Sequence, residues 1–367
     1  MMIERGRPLI AALASLAMAL LATGPVTAGL TPDATWGAAL TLASGNGVDL
    51  EDAAFRGGRV AAAWSGPLSG PGDTLRVRRS SNGGGSFGAA DLVRKATRQA
   101  SFALCGDGTL MAAFGHYHGG LSSWMLDLWG MPGWPHRVIT SAGDQARWPD
   151  IVCPGPSQVA WVAWIAFDGH SDQAFLARAT TTDPGLPATI NLGIVDFTQS
   201  GPVLVPSGDG VFVAWAAQNG DIVGRHAEAG GGGIALGPQV TIADGTPAVP
   251  ATFPVIGSSG QRIVVAWERC DIRARVSTNG GTSWGPVRKL TNLGCDAVDV
   301  GVLPESVAVS GERIAIAYTI AGLGGGDVRL VRSSNDLVTR SNVHLSGLMN
   351  GVLLGYTRVG GSTRLAV

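Results

Sequence analysis

Lysine is nearly missing from this chain. Of 26 basic residues among 367, only Lys95 and Lys289 are lysine, and charged residues of all kinds make 14%. With a formal net charge of −1 and no basic run interleaved with aromatics, nucleic acid is excluded as a partner. Tyrosine is as scarce, with only Tyr117, Tyr318 and Tyr356, so few positions could support phenolate chemistry. Past residue 28 no stretch repeats its apolar residues at the 3.6-residue helical period, which excludes a helical domain. Four cysteines occur and none is spaced Cys-x-x-Cys, the wrong pattern for a zinc ribbon. One long hydrophobic run exists, Leu9 to Ala22, 14 residues against the roughly 20 of a membrane span. It follows Arg5 and Arg7 and precedes the small residues Val26-Thr27-Ala28. Residues 1–28 therefore read as a secretory signal peptide cleaved before Gly29, an uncleaved anchor being the alternative. Residues 29–367 are expected to form a single exported domain, secreted or periplasmic, monomeric and without a membrane span.

What is plentiful is glycine (55), proline (20) and one recurring phrase. Arg262-Ile263-Val264-Val265-Ala266-Trp267 reappears as Gly210 to Trp215, Arg59 to Trp64 and Arg313 to Tyr318, with looser copies ending at Phe114, Trp164 and Tyr356. The closing aromatics at 64, 114, 164, 215, 267, 318 and 356 are separated by 50, 50, 51, 52, 51 and 38 residues. A fixed period of this size means stacked copies of one supersecondary unit, and four short strands fill about 40–50 residues. The chain is all-β, a β-propeller of four-stranded blades. The phrase is apolar on both faces, so its strand is buried on both. A small residue always precedes the aromatic, Ala266 before Trp267 for example. It admits a neighbouring sheet on one side while the aromatic fills space on the other.

Blades are expected at about 48–97, 98–140, 146–193, 198–243, 249–291 and 299–346. The remainder, 347–367, supplies part of a seventh, so seven blades are expected, with six and a C-terminal extension as the alternative. Thr35 to Leu42 resembles the outer strand at Ser283 to Leu290 and is expected to close the ring from the N-terminus, removing exposed sheet edges. Export makes disulfides stable. Cys105 and Cys153 occupy equivalent positions in successive repeats, while Cys270 and Cys295 fall in loops of one face, so the expected pairs are Cys105–Cys153 and Cys270–Cys295.

Two turns carry a family pattern. Ser80-Ser81-Asn82-Gly83-Gly84-Gly85-Ser86-Phe87 and Ser277-Thr278-Asn279-Gly280-Gly281-Thr282-Ser283-Trp284 share Ser-x-Asn-x-Gly-x-Ser-aromatic. This resembles the Asp-box, or bacterial neuraminidase repeat, with Asn in place of the usual Asp. Ser333-Ser334-Asn335 begins a third copy without the glycine and the aromatic. The resemblance implies a propeller of the sialidase-like superfamily, with these turns and the A–B turns on a lower face. The B–C and D–A loops then form an upper mouth where ligands bind, strands A to D running from the axis outward.

Polar residues concentrate in those upper loops: His116, Tyr117 and His118, then Arg147, Trp148 and Asp150, Asp168, His170 and Asp172, Gln218 and Asn219, Glu268 and Arg269. In sialidases three arginines grip the substrate carboxylate, a Tyr–Glu pair is the nucleophile and an Asp the acid–base. Carried onto this chain, the resemblance implies Tyr318 and Glu268 as nucleophile and base and Asp150 or Asp168 as acid. Arg147 and Arg269 become the clamps, with Trp148, His116 and His118 in the binding surface. The chain departs from the family pattern: Phe55-Arg56 is followed by Gly57-Gly58 rather than Ile-Pro, on the wrong face. Glu268 with Arg269, and Arg147 with Asp150, also read as loop-fixing ion pairs. His116-x-His118 and Asp168-x-His170-x-Asp172 have metal-ligand chemistry. No cofactor is expected, and a structural Ca2+ or Zn2+ is the one metal reading these residues offer. The function expected is recognition of a carbohydrate, a sialylated glycan included, at the upper mouth. An exo-α-sialidase or related glycoside hydrolase is the first alternative, and a structural or protein-binding propeller the second.

Overall fold

The computed structural model of the chain describes residues 42, 49–67, 73–119, 123–131, 134–141, 144–155, 159–167, 169–180, 187–195, 201–292, 302–322, 325–347, 355–359 and 362–366. Within them the protein is a β-propeller with six four-stranded antiparallel blades. Blade 1 comprises Asp49–Arg56, Arg59–Pro67, Asp73–Ser80 and the first part of Asp91–Leu104; the rest of that long strand begins blade 2, followed by Leu110–His118, Ser123–Met131 and Trp134–Val138. Blade 3 is Arg147–Val152, Val159–Phe167, Asp172–Thr180 and Ala188–Ile194. Blade 4 is Val203–Ser207, Gly210–Ala216 and Ile222–Gly230, its outer strand split into Gly233–Leu236 and Val240–Ala243. Blade 5 is Thr252–Ser259, Arg262–Glu268, Ile272–Ser277 and Arg288–Lys289, and blade 6 is Val302–Ser310, Arg313–Gly322, Gly325–Ser333 and Ser341–Gly347.

The expected seventh blade is not formed. Among the described residues the segment after blade 6 contributes only a two-stranded hairpin, Gly355–Val359 with Ser362–Ala366, set beside the inner strands of blades 6 and 1. The reason is spacing. The final aromatic follows its predecessor by 38 residues instead of about 50, out of step with the period that lays down a four-stranded blade. The proposed closing strand at Thr35 to Leu42 lies outside the described residues apart from Leu42, as does the signal segment 1–28.

The repeated phrase does what its two apolar faces require. Trp64, Phe114, Trp164, Trp215, Trp267 and Tyr318 are all buried. From Phe114 onward each packs against the preceding blade: Phe114 joins Leu75 and Val77 of blade 1, and Trp164 joins Leu126 and Leu128 of blade 2. Trp215 meets Trp161 of blade 3, Trp267 meets Phe212 of blade 4, and Tyr318 meets Ile272 and Ala274 of blade 5. The small residue before each aromatic faces the following blade, as with Ala163 in the cluster of blades 3 and 4 and Ala266 in that of blades 5 and 6. Strand alternation thus writes one large and one small contact per blade, and the ring is assembled from those interfaces.

Hydrogen bonds between loops fix the two faces. A–B and C–D turns meet below, Gly83 N donating to Gly58 O at 2.7 Å and Gly280 N to Gln261 O at 2.8 Å. B–C and D–A loops meet above, Ala251 N donating to Gly220 O at 2.8 Å and Phe167 N to Asp144 O at 3.1 Å. Three C–D turns are closed by one bond set. Asn82 Oδ1 accepts from Ser86 N and Ser80 Oγ accepts from Gly84 N, both at 2.9 Å. Asn279 and Ser277 repeat both distances with Ser283 N and Gly281 N. The degenerate turn closes in the same way, Thr339 N bonding Asn335 Oδ1 at 2.9 Å and Leu337 N bonding Ser333 Oγ at 3.0 Å. Leu337 takes φ +63° where the other two turns have glycine at about +90°. Side-chain capping by Ser and Asn therefore decides the turn, and glycine only eases it.

Candidate functional site

The upper end of the axial channel is built from irregularities in the inner strands. Strand A carries a β-bulge near its upper end in blades 1, 2, 3, 5 and 6, at Leu50/Asp52, Arg98/Ala100, Arg147/Asp150, Thr252/Val255 and Pro304/Ser306. Gln99, Trp148 and Phe253 adopt positive φ there, +47°, +48° and +51°. A bulge leaves a backbone N–H outside the ladder, and in blades 2 and 3 a side chain of the preceding blade satisfies it. Glu51 Oε2 accepts from Ala100 N and Gln99 Oε1 from Trp148 N, both at 3.0 Å.

One or two residues further along the same strands lies a second set. Asp52, Ser101 and Asp150 are each 49 residues apart. Ser101 Oγ lies 3.0 Å from Asp52 Oδ2 and 3.1 Å from Asp150 Oδ1. Asp52 also accepts from Phe102 N at 2.6 Å and Ala53 N at 2.7 Å, and Asp150 from Leu204 N at 2.6 Å and Ile151 N at 2.8 Å. Four blades are thereby linked around the axis. Burial pushes the Asp52 carboxyl up to about 6 and the Asp150 carboxyl up to about 7, against the opposing pull of their backbone hydrogen bonds. The Asp52 charge raises Asp150 further. The count of protons agrees, since one hydroxyl hydrogen cannot satisfy two carboxylates, while a protonated carboxyl donating to Ser101 completes the chain.

Arg147, at the head of strand A in blade 3, does not pair with Asp150. The bulge between them turns Asp150 toward blades 2 and 4, and the Arg147 guanidinium instead meets the buried Asp172 at 2.6 Å. It also lies over the half-buried Trp148 ring, 4.8 Å from its centroid. Asp172, the guanidinium and the indole form one fixed station at the upper end of blade 3, the indole packing on the core shared with blade 4. Glu268 is occupied by Thr252 Oγ1 and by Cys270 N, each at 2.7 Å. Arg269 does not pair with it, donating to the Asp244 carbonyl in the link between blades 4 and 5 instead, so both hold loops together. Tyr318 is a second correction. It is not at the mouth, since it takes the interface position of the repeat's tryptophans and is 2% exposed. Asp168 lies outside the described residues.

His116 and His118 are not at the channel either. They turn into the space between blades 1 and 2, around the fully buried Asp127. Cys105 and Cys153 are joined, their Cα atoms 4.9 Å apart, tying strands A of blades 2 and 3 together at their lower ends. Cys270 is also in a disulfide, while Cys295 lies outside the described residues. Arg56 sits at the lower face as expected, donating to Cys153 O at 2.8 Å and Leu104 O at 3.3 Å. A cavity of about 590 Å³ opens there, walled by Phe55, Arg56, Cys153, Ser207 and Gln261 among others.

Asp52, Ser101, Asp127 and His136 were missed by reasoning from the sequence. Asp52, Ser101 and Asp150 had a visible signal, an identical repeat position, and Asp127 had another, a lone carboxylate inside Trp-Met-Leu-Asp-Leu-Trp.

No family model and no curated protein matches the chain. Solved structures do. A puromycin-hydrolyzing peptidase of Mycobacterium tuberculosis is 14% identical with a TM-score of 0.53, over 84% of this chain and 48% of that one. A prolyl endopeptidase structure is 11% identical with a TM-score of 0.51, over 84% and 44%. A sialidase of Trypanosoma rangeli, in complex with sialic acid, is 9% identical with a TM-score of 0.46, over 78% and 54%. The likeness is one of fold. This chain spans about half the length of these three proteins. Among the described residues no helix is long and apolar enough to cross a membrane.

Proposed function

We propose that the protein is an exported, Asp-box-type propeller that holds a saccharide at its upper mouth without hydrolysing it. The observation that carries this reading is the station at the head of blade 3, where Asp172 and the Trp148 indole fix the Arg147 guanidinium. A guanidinium held in this way is a preorganised donor set for sugar hydroxyls or a sugar carboxylate, and the adjoining indole offers apolar surface for sugar C–H groups. The three Ser-x-Asn turns support the superfamily assignment. The joined cysteines support export, since such bonds persist in oxidising compartments. A non-hydrolytic role is favoured by the occupied Glu268 and the interface position of Tyr318.

The test is a glycan array followed by calorimetry. A retained saccharide should bind at least about tenfold more weakly to Trp148→Ala and Arg147→Met, the loss of one or two good polar or stacking contacts. An array with no retained saccharide would overturn the proposal. A fluorogenic sialoside cleaved by the wild type and not by Tyr318→Phe would replace it with the hydrolase.

A further inference from the structure

We infer that blade 2 carries a divalent transition-metal site, of the zinc class, formed by His116, His118, Asp127 and His136. Three neighbouring strands supply the donors. Leu110–His118 places His116 and His118 two residues apart on one face, Ser123–Met131 adds Asp127, and Trp134–Val138 adds His136. Asp127 pairs with Phe114 on one side and Val138 on the other, so all four side chains rise from the same face of the sheet, toward blade 1.

His116, Asp127 and His136 hold ligand atoms that all lie within 4.8 Å of one another, with His118 beside them, and this spacing fits a metal. His116 Nδ1 is 3.1 Å from His118 Nε2 and 2.9 Å from Asp127 Oδ2. His118 Nε2 is 3.2 Å from Asp127 Oδ1, and His136 Nε2 is 2.9 Å from Asp127 Oδ2. Bonds of 2.0–2.2 Å to a tetrahedral zinc set neighbouring donors about 3.3 Å apart, so small outward movements admit the ion.

Two observations separate a metal cage from a hydrogen-bonded one. Asp127 is 0% exposed, yet its Oδ2, with two ring nitrogens at 2.9 Å, makes no hydrogen bond among the described residues, and neither does His136 Nε2. Both ring nitrogens lie within contact of this oxygen without meeting hydrogen-bond geometry, which leaves a buried carboxylate oxygen for another partner. Moreover, the ring nitrogens of His116 and His118 face each other and can share only one proton, whereas both can be bare beside a metal. Three imidazoles and one carboxylate are borderline ligands that suit zinc over calcium. Four protein ligands close the coordination sphere, which makes the role structural, pinning the outer strand of blade 2. Arg94 Nε donates to His116 Nε2 at 3.4 Å. A metal-bound His116 keeps its proton on that nitrogen, so loading breaks this long contact.

The experiment uses the untagged mature chain, stripped with chelator and then titrated with Zn2+ and Co2+. Elemental analysis should give one zinc per chain, and Co2+ should develop the strong visible absorption of four-coordinate cobalt. His118→Ala and His136→Ala, both partly exposed and so tolerant of truncation, should each weaken binding about 100-fold or more. Both should also abolish the rise in Tm that zinc gives the wild type. Asp127→Asn serves as a third variant, and the circular dichroism of each stripped variant is compared with that of the stripped wild type. Substoichiometric zinc, a weak octahedral cobalt spectrum, or equal affinity in wild type and a folded His118→Ala/His136→Ala double variant would overturn the site.

Discussion

Replacing Asp150 by Asn tests the linked carboxyls of the channel, because it separates a hydrogen-bond effect from a titration effect. Asp150 is held at about 7 against an ordinary value of 3.8. Its proton is therefore retained by the folded chain at pH values where the unfolded chain has lost it. The stability associated with this group is complete below about pH 4 and is lost as pH rises through about 7. At roughly 1.4 kcal/mol per pH unit the ceiling is about 4 kcal/mol. Asp150 is only partly shielded from solvent, so we expect on the order of 2 kcal/mol. The amide keeps an oxygen for Ile151 N and Ser101, but its NH2 faces Leu204 N, which loses its acceptor. That costs about 1–3 kcal/mol at every pH. Denaturant unfolding between pH 4 and 8 should therefore show a variant clearly less stable than wild type at pH 4, the gap closing by on the order of 2 kcal/mol at pH 8. A gap independent of pH would refute the reasoning, because Asp150 would then titrate alike in both states.

Other predictions concern stability. Gly84 and Gly281 share φ near +90°, but a Cβ on Gly84 would lie 4.0 Å from Val60 while one on Gly281 would lie 2.3 Å from the Phe212 ring. Gly84→Ala should cost about 1–2 kcal/mol for the left-handed backbone alone, and Gly281→Ala about 1–3 kcal/mol more for the overpacking; equal losses by chemical denaturation would contradict the packing. Asn279→Ala removes the acceptor for Ser283 N and should cost about 1 kcal/mol, with no change in saccharide binding. Cys105→Ser/Cys153→Ser opens a loop of 48 residues and should lower stability by up to about 4 kcal/mol, read as a difference in midpoint that disappears when both proteins are fully reduced.

Much of the architecture was legible in the chain because a propeller writes itself as a period. The Ala-aromatic phrase announced both faces of every B strand, and the register of Cys105 and Cys153 announced their pairing. The same period misled at two points. It counted Tyr356 as a seventh blade although that residue breaks the period, 38 residues after Tyr318 instead of about 50. It also offered Tyr318 as a mouth residue, whereas its equivalence to Trp215 and Trp267 meant packing.

The sequence by itself determined the strand pattern, the capped turns and the interface residues, because each depends on neighbours within one repeat or at the same position of the next. Tertiary structure decided the rest. Whether Arg147 would meet Asp150 or Asp172 turned on a bulge that no local propensity records. His136 joined His116 and His118 because twist and register bring strands B, C and D of blade 2 onto one face. Side-chain convergence of this kind depends on orientation in three dimensions, and a period along the chain carries only distance.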